Sequence, residues 1–297
     1  MIINNFKITD LLKITKRKIL LNLRCEASAS SACQHKAIMK LTIIKIGGNV
    51  VDNPTLRENF LNDFSQIPSP KILVHGGGKI ATQVAVKMDI ETVMVEGRRI
   101  TDKAMLDVVT MVYGGLVNKT LVAQLQSRGE NTIGLTGADA GVILSKKRPV
   151  KEIDYGFVGD IEKVDNIFID SILQQNLVPI FAPLTYDKGG NMLNTNADTI
   201  AQALAIAMSK NYEVNLVYCF EKKGVLTDVD DDSSVIPVLK KVYYEQLKTN
   251  GAIHTGMIPK LDNAFKAIAE GVSQVTICHA AEVRLAVNEG RAGTKIM

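Results

Sequence analysis

Lys45 is the only charged residue in the apolar run Leu41–Ile46, which ends at Gly47-Gly48. A second apolar run, Ile72–His75, ends at Gly76-Gly77-Gly78-Lys79. An ammonium within an apolar strand is costly unless it meets an anion. Glycines beyond a strand let the backbone approach a ligand closely. The free N–H groups of such a turn, backed by a helix N-terminus, make an anion site. The pattern points to a polyanion, most simply the phosphates of a nucleotide, with the Lys45 ammonium held against it. Neither stretch is a P-loop, because Lys79 is followed by Ile80, and no GxGxxG occurs.

Other residues could complete the chemistry. Lys260 closes G-M-I-P-K and opens a helical pattern, so it is either a solvated helix-start lysine or a second phosphate clamp. Asp198 closes N-T-N-A-D, where a carboxylate can cap a helix or aim the two lysines. Arg98 and Arg99 follow Gly97, and an arginine there can grip a carboxylate through two hydrogen bonds. His75 and His254 are candidates for proton transfer or for structural roles. The acidic run 228–232 lacks the spacing and closing Glu of a calcium loop and reads as a solvated turn. The cysteines at 25, 33, 219 and 278 match no zinc or CxxC spacing, and Cys219 and Cys278 end apolar runs as small hydrophobes.

These residues need elements to position them. Apolar, β-branched runs at Leu41–Ile46, Ile72–His75, Thr132–Leu135, Val178–Pro183, Val214–Cys219 and Gln274–Cys278 read as strands covered on both faces. Helical patterns occupy Leu116–Gln126, Ala197–Met208 and Leu261–Ala269. The alternation predicts an α/β fold with an open, mainly parallel sheet sandwiched between helices. Hairpins are expected at Val93–Ile100 and Gly141–Lys163, and a tight turn at Lys188–Asn191. A boundary near Lys210-Asn211 would divide the body into two lobes, 39–210 and 211–297.

Taken in order, K-I-G-G-N, V-H-G-G-G, G-R-R-I-T, N-K-T-L-V, A-P-L…N-T-N-A-D and G-M-I-P-K resemble the amino-acid kinase superfamily and, within it, the acetylglutamate kinases. The resemblance runs from Met39 to the C-terminus. It implies ATP-dependent phosphorylation of the side-chain carboxylate of an N-acylglutamate, giving an acyl phosphate in arginine or ornithine biosynthesis, with Mg²⁺ carried by ATP. By the same resemblance, Lys45 and Lys260 stabilise the transferring phosphoryl group and Asp198 orients them. Gly77, Gly78, Arg99 and Asn194 contact the acylglutamate. Gly47, Gly48, Glu221, Gly224, Leu226 and His254 contact the nucleotide. The first lobe binds acylglutamate and dimerises, and the second binds nucleotide. The chain departs from the family where C-F-E-K-K-G-V, Cys219–Val225, stands in place of T-D-V-x-G-V, and where His254-Thr255 precede Gly256. The acyl group is not legible. The short C-terminal segment, by resemblance, implies an unregulated homodimer, and the resemblance as a whole implies a cytoplasmic enzyme. Alternatives are another acyl-phosphate-forming kinase of this fold, or a silent nucleotide-binding sensor.

Charge bounds the partners. Of the net +4 over 297 residues, the first 38 contribute +5 (seven Lys/Arg, two acids), leaving −1 on the other 259. The body therefore carries no nucleic-acid footprint. No apolar run in the sequence approaches the roughly 20 residues of a membrane span. The basic, acid-poor stretch 1–38 reads as a disordered extension or an upstream start chosen in place of Met39. A partner-binding helix in Phe6–Leu23 and an organellar leader are the alternatives.

Overall fold

The computed structural model describes residues 38–95, 98–228, 230–253 and 257–297. The expectations placed on the leader, including Cys25 and Cys33, and on His254 lie outside the described residues. Eight strands form the main sheet: β1 (Lys40–Ile46), β2 (Lys71–His75), β3 (Thr132–Leu135), β4 (Val178–Phe181), β5 (Glu213–Phe220), β6 (Val238–Leu239), β7 (Gln274–His279) and β8 (Thr294–Ile296). Their spatial order is β6-β8-β7-β5-β1-β2-β4-β3. Every neighbouring pair is parallel except β7–β8. The sheet crosses from residues before 210 to residues after it through the β1–β5 ladder, in which Lys45 lies opposite Tyr218.

Strand periodicity sorts the core onto two faces. Leu41 and Ile43 of β1, Ile72 and Val74 of β2, and Val214 and Leu216 of β5 pack with Ile200, Leu204 and Leu261. The last three come from the helices Ala197–Met208 and Ile258–Ala269. Ile44, Ile46, Leu73 and Val217 face the other way, against Phe60, Ala81, Val109 and Leu121. By the same alternation Lys45 stands on the first face, toward the Ala197–Met208 helix.

Some expected bounds shift. The Leu116–Gln126 helix begins much earlier: an α-helical segment Lys103–Val109 and a π-helical stretch Thr110–Val117 precede Asn118–Gln126. Within this 24-residue span an 18-residue stretch reaches a mean hydropathy of 1.2, the length and composition of a membrane span, yet half of that stretch is buried in the protein. Helices at Pro54–Ser65, Gly78–Lys87, Asn166–Gln174 and Lys241–Thr249 escaped the apolar pattern. The expected hairpins are present. Ile143–Lys147 pairs antiparallel with Gly159–Val164 inside a four-stranded sheet, and Met94–Val95 pairs with Arg98–Arg99. The acidic run is an exposed turn in which Asp228 and Asp231 carboxylates accept backbone N–H groups two residues on.

Lys71 is a buried structural cation. Its Nζ donates to the carbonyls of Phe64 and Ile67, at 2.9 and 2.7 Å, and to Glu130 Oε1 at 2.9 Å. It thereby closes the C-terminal end of the Pro54–Ser65 helix, where orphan carbonyls collect. Removing it strips a cation from the Glu130 carboxylate and a donor from each of the two carbonyls, of which that of Phe64 keeps the Ile67 N–H. Lys71→Met is expected to lower unfolding stability by about 3 kcal/mol. The additional change Glu130→Gln should recover part of that loss. A urea titration reads both, and a Lys71→Met loss within the scatter of ordinary surface substitutions contradicts the assignment.

Candidate active site

The two glycine turns meet at the C-terminal ends of β1 and β2. A Cβ on Gly76 would lie 3.0 Å from the Gly48 nitrogen, so the turns can touch only as bare backbone. Gly77, at φ 156°, is the N-cap of the Gly78–Lys87 helix and lies under the Tyr113 ring.

Asp198 reaches this point because another residue does the capping. Asn196 Oδ1 accepts from the backbone N–H groups of Asp198 and Thr199, at 2.8 and 3.2 Å. That satisfies the start of the helix and leaves the Asp198 carboxylate for Lys45, whose Nζ is 2.8 Å from Oδ1. Lys260 arrives from the first turn of the Ile258–Ala269 helix. Its Nζ stands 3.8 Å from the centre of the Phe220 ring, and the Lys45 Nζ is 5.3 Å from the same ring. Burial pulls the Lys260 ammonium below the ordinary lysine range. Asp198 opposes that pull, nearby Lys45 adds to it, and Glu221 opposes it again.

Two cavities flank the cluster and share Gly48, Gly78, Met94 and Arg99 in their walls. The first, about 360 Å³, is lined by Gly77, Gly78, Arg99, Tyr113, Arg148 and Asn194. The second, about 580 Å³, is lined by Gly47, Gly48, Lys79, Phe220, Glu221 and Lys260. Arg99 is nearly buried; its Nη2 donates to Gly78 O at 2.9 Å and Thr82 Oγ1 at 2.8 Å. Asn194 donates to Thr101 Oγ1 at 3.0 Å. Gly224 and Leu226 are not in the cavity walls. A Cβ on Gly224 would meet Thr294 Oγ1 at 2.7 Å, and Leu226 bridges to Val235.

Tyr113, Arg148 and Phe220 are among the lining residues that sequence reasoning missed. Tyr113 sits in the π-helical stretch, whose apolar content carries no phase. Arg148 is held by Asp160, with Nη2 at 2.6 Å and Nε at 3.1 Å, while its buried Nη1 has no partner among the described residues. Phe220 ends β5 and was legible only as part of an irregular loop.

His75 is fully buried at the end of β2. Its Nδ1 donates to Gly76 O at 2.7 Å, and Nε2 accepts from Asn118 Nδ2 at 3.2 Å, the tautomer these partners require. Burial drives its pKa down to about 4. It is a neutral strut under the glycine turn.

Residues 40–279 match the amino acid kinase family. An acetylglutamate kinase of Cytophaga hutchinsonii is 55% identical over 262 residues, 88% of this chain and 99% of the relative. An acetylglutamate kinase of Bacteroides thetaiotaomicron is 57% identical over 251 residues, 84% of this chain and 97% of the relative. Among solved structures, carbamate kinase from Giardia lamblia bound to AMP-PNP superposes with a TM-score of 0.63 at 13% identity, covering 88% of this chain and 99% of its own. That likeness is one of fold.

The buried histidine sets an acid-side stability slope. Its pKa is lower folded, about 4, than unfolded, about 6.5, so the unfolded state gains the proton first. Its contribution is intact above about pH 6.5 and is lost as pH falls toward 4, by about 3 kcal/mol in all. His75→Gln should flatten the difference between stabilities measured at pH 7 and pH 4.5. An equal slope in both proteins contradicts the buried neutral state.

Proposed function

We propose, since the chain belongs to the amino acid kinase family and groups there with the acetylglutamate kinases, that it transfers the γ-phosphoryl group of ATP to the side-chain carboxylate of N-acetyl-L-glutamate. The observation that carries this reading is the convergence of Lys45 and Lys260 on one cleft beside Asp198, between two cavities that share Gly48. Acylglutamate fits the first cavity, where Arg99, Asn194 and the Gly77-Gly78 N–H groups offer donors to its carboxylates. The nucleotide fits the second, with its phosphates toward Gly47, Gly48 and Lys260. Glu221 lines the same cavity, and Gly224 and Leu226, outside its walls, belong to the segment that follows Glu221.

The chemistry asks little covalent help. A carboxylate oxygen forms a bond to phosphorus as the bond from phosphorus to the ADP oxygen breaks. The nucleophile is already ionised, so no base is needed, which agrees with a histidine held neutral and turned to structural partners. What the reaction needs is alignment and neutralisation of charge on the phosphoryl oxygens. Two ammoniums and glycine N–H groups supply it, and Asp198 keeps Lys45 aimed. Mg²⁺ would enter on the ATP phosphates and neutralise part of their charge. The protein side of the cleft offers mainly cations and N–H donors, with Asp198 engaged by Lys45 and Glu221 as a single further carboxylate in the wall, a donor set that suits a metal carried by the nucleotide.

In this reading residues 39–210 bind acylglutamate and dimerise, and 211–297 bind nucleotide. A homodimer is supported by the exposed Met111 and Leu116 on the long helix. The product, an acyl phosphate, is a reactive intermediate suited to reduction in arginine biosynthesis in the cytoplasm.

ADP release followed with N-acetylglutamate, N-succinylglutamate, free glutamate and aspartate tests the substrate. Turnover is expected on N-acetylglutamate. ATP binding without turnover on any of them would favour a sensor. Lys45→Ala or Lys260→Ala should each lower kcat by about 10²–10³, as loss of one transition-state donor does. An unchanged kcat with only a raised KM contradicts the role.

A further inference from the structure

Two ammoniums in one cleft repel each other, and the charge balance around them is uneven. Lys45 has a carboxylate at 2.8 Å. Lys260 has no carboxylate within 4 Å among the described residues, and its Nζ lies over the Phe220 ring face, 3.8 Å from the centroid. A desolvated ammonium over an aromatic face is stabilised by the ring quadrupole. We propose that Phe220 is a positioning residue, whose ring holds the Lys260 ammonium beside Lys45 and so lets two like charges share a cleft in which the nearby carboxylate is already engaged.

The backbone explains why the ring is there. Phe220 follows Tyr218 by two on β5, so both project to the face that carries Lys45. The two rings stack, with centroids 6.1 Å apart and planes 14° from parallel. Tyr218 is buried and donates its hydroxyl to the Asp198 carbonyl at 3.3 Å. The pair therefore ties the Phe220 ring to the same helix start that supplies the Lys45 partner. A smaller or polar residue at 220 would keep the strand but leave Lys260 without its ring.

The inference rests on the kinase reading for its catalytic consequence, but its physical content can be read without turnover. The groups that face Lys260 are Lys45 from β1, Asp198 from the start of the Ala197–Met208 helix and Glu221 just beyond β5. Lys79 and Lys222 also line the shared cavity. None of these changes in a variant at 220. With 13Cε-lysine labelling, the Lys260 resonance is assigned by its loss in Lys260→Arg and titrated by NMR in wild type, Phe220→Leu, Phe220→Tyr and protein carrying 3,4,5-trifluorophenylalanine at 220. The ring favours the charged form, so its loss lowers the titration point. Phe220→Leu should shift it down by about 0.4–1.5 pH units. The basic limb of kcat should move with it, and kcat itself should fall about 2- to 30-fold with little change in the KM for acylglutamate. Phe220→Tyr should restore both.

The trifluoro ring keeps the shape of phenylalanine but drains the π face. It should behave like leucine in the titration while melting like wild type, which separates charge stabilisation from packing if Phe220→Leu folds poorly. A Lys260 titration unmoved by the trifluoro ring overturns the proposal. Absence of turnover on every acylglutamate in wild type would instead strike the kinase reading, with the effect of the ring on Lys260 still measured.

Discussion

A buried lysine at the end of a central parallel strand is the constraint around which this site is arranged. Lys45 cannot stay charged among Leu41, Ile43 and their neighbours without a counter-charge. The chain supplies one carboxylate, Asp198, at 2.8 Å. That contact fixes the start of the Ala197–Met208 helix over the C-terminal ends of β1 and β5. It also requires that the helix be capped by something other than Asp198, and Asn196 does so. The division of labour between two residues two positions apart is what frees a carboxylate to orient a lysine.

The same end of the sheet gathers the anion-binding backbone. Parallel strands place their carboxyl ends together, and the turns that leave β1 and β2 meet without side chains between them, Gly76 against Gly48. One cavity opens on each side of that contact. A phosphoryl group passing from one to the other would cross the shared wall at Gly48, which Arg99 also lines, beside the point where Lys45 and Lys260 converge on the Phe220 ring. The buried neutral His75 beneath the Gly76 turn and the buried charged Lys71 at the other end of β2 serve the scaffold. Both are held by backbone carbonyls, which explains how two titratable residues on one strand can stand apart from the chemistry.

Much of this arrangement was legible in the sequence where composition and geometry coincide. The strands Leu41–Ile46 and Ile72–His75 are mostly apolar and β-branched, so their glycine ends and the odd Lys45 stand out. Asp198 and Lys260 could be singled out because each begins a helical pattern after a short polar or Pro-containing segment. The helix Gly78–Lys87 was hidden because only Ala81 and Ala85 are buried along it, too sparse an apolar stripe to show a period. Tyr113 was hidden by a π-helical stretch that shifts the phase of the long helix. Phe220 acquires its meaning only from β5 lying beside β1 in register, a pairing across more than 170 residues that no local pattern carries.

The claim at the centre of this account is that two ammoniums from distant parts of the chain close on one phosphoryl group. It is tested most directly by a crystal structure with ADP, aluminium fluoride and N-acetylglutamate, in which the fluoroaluminate stands in for the group in flight. The account predicts that the Lys45 and Lys260 Nζ atoms both lie about 3 Å from its equatorial fluorines, with Asp198 still against Lys45. A fluoroaluminate touched by one lysine while the other turns to solvent or to a different carboxylate would contradict it.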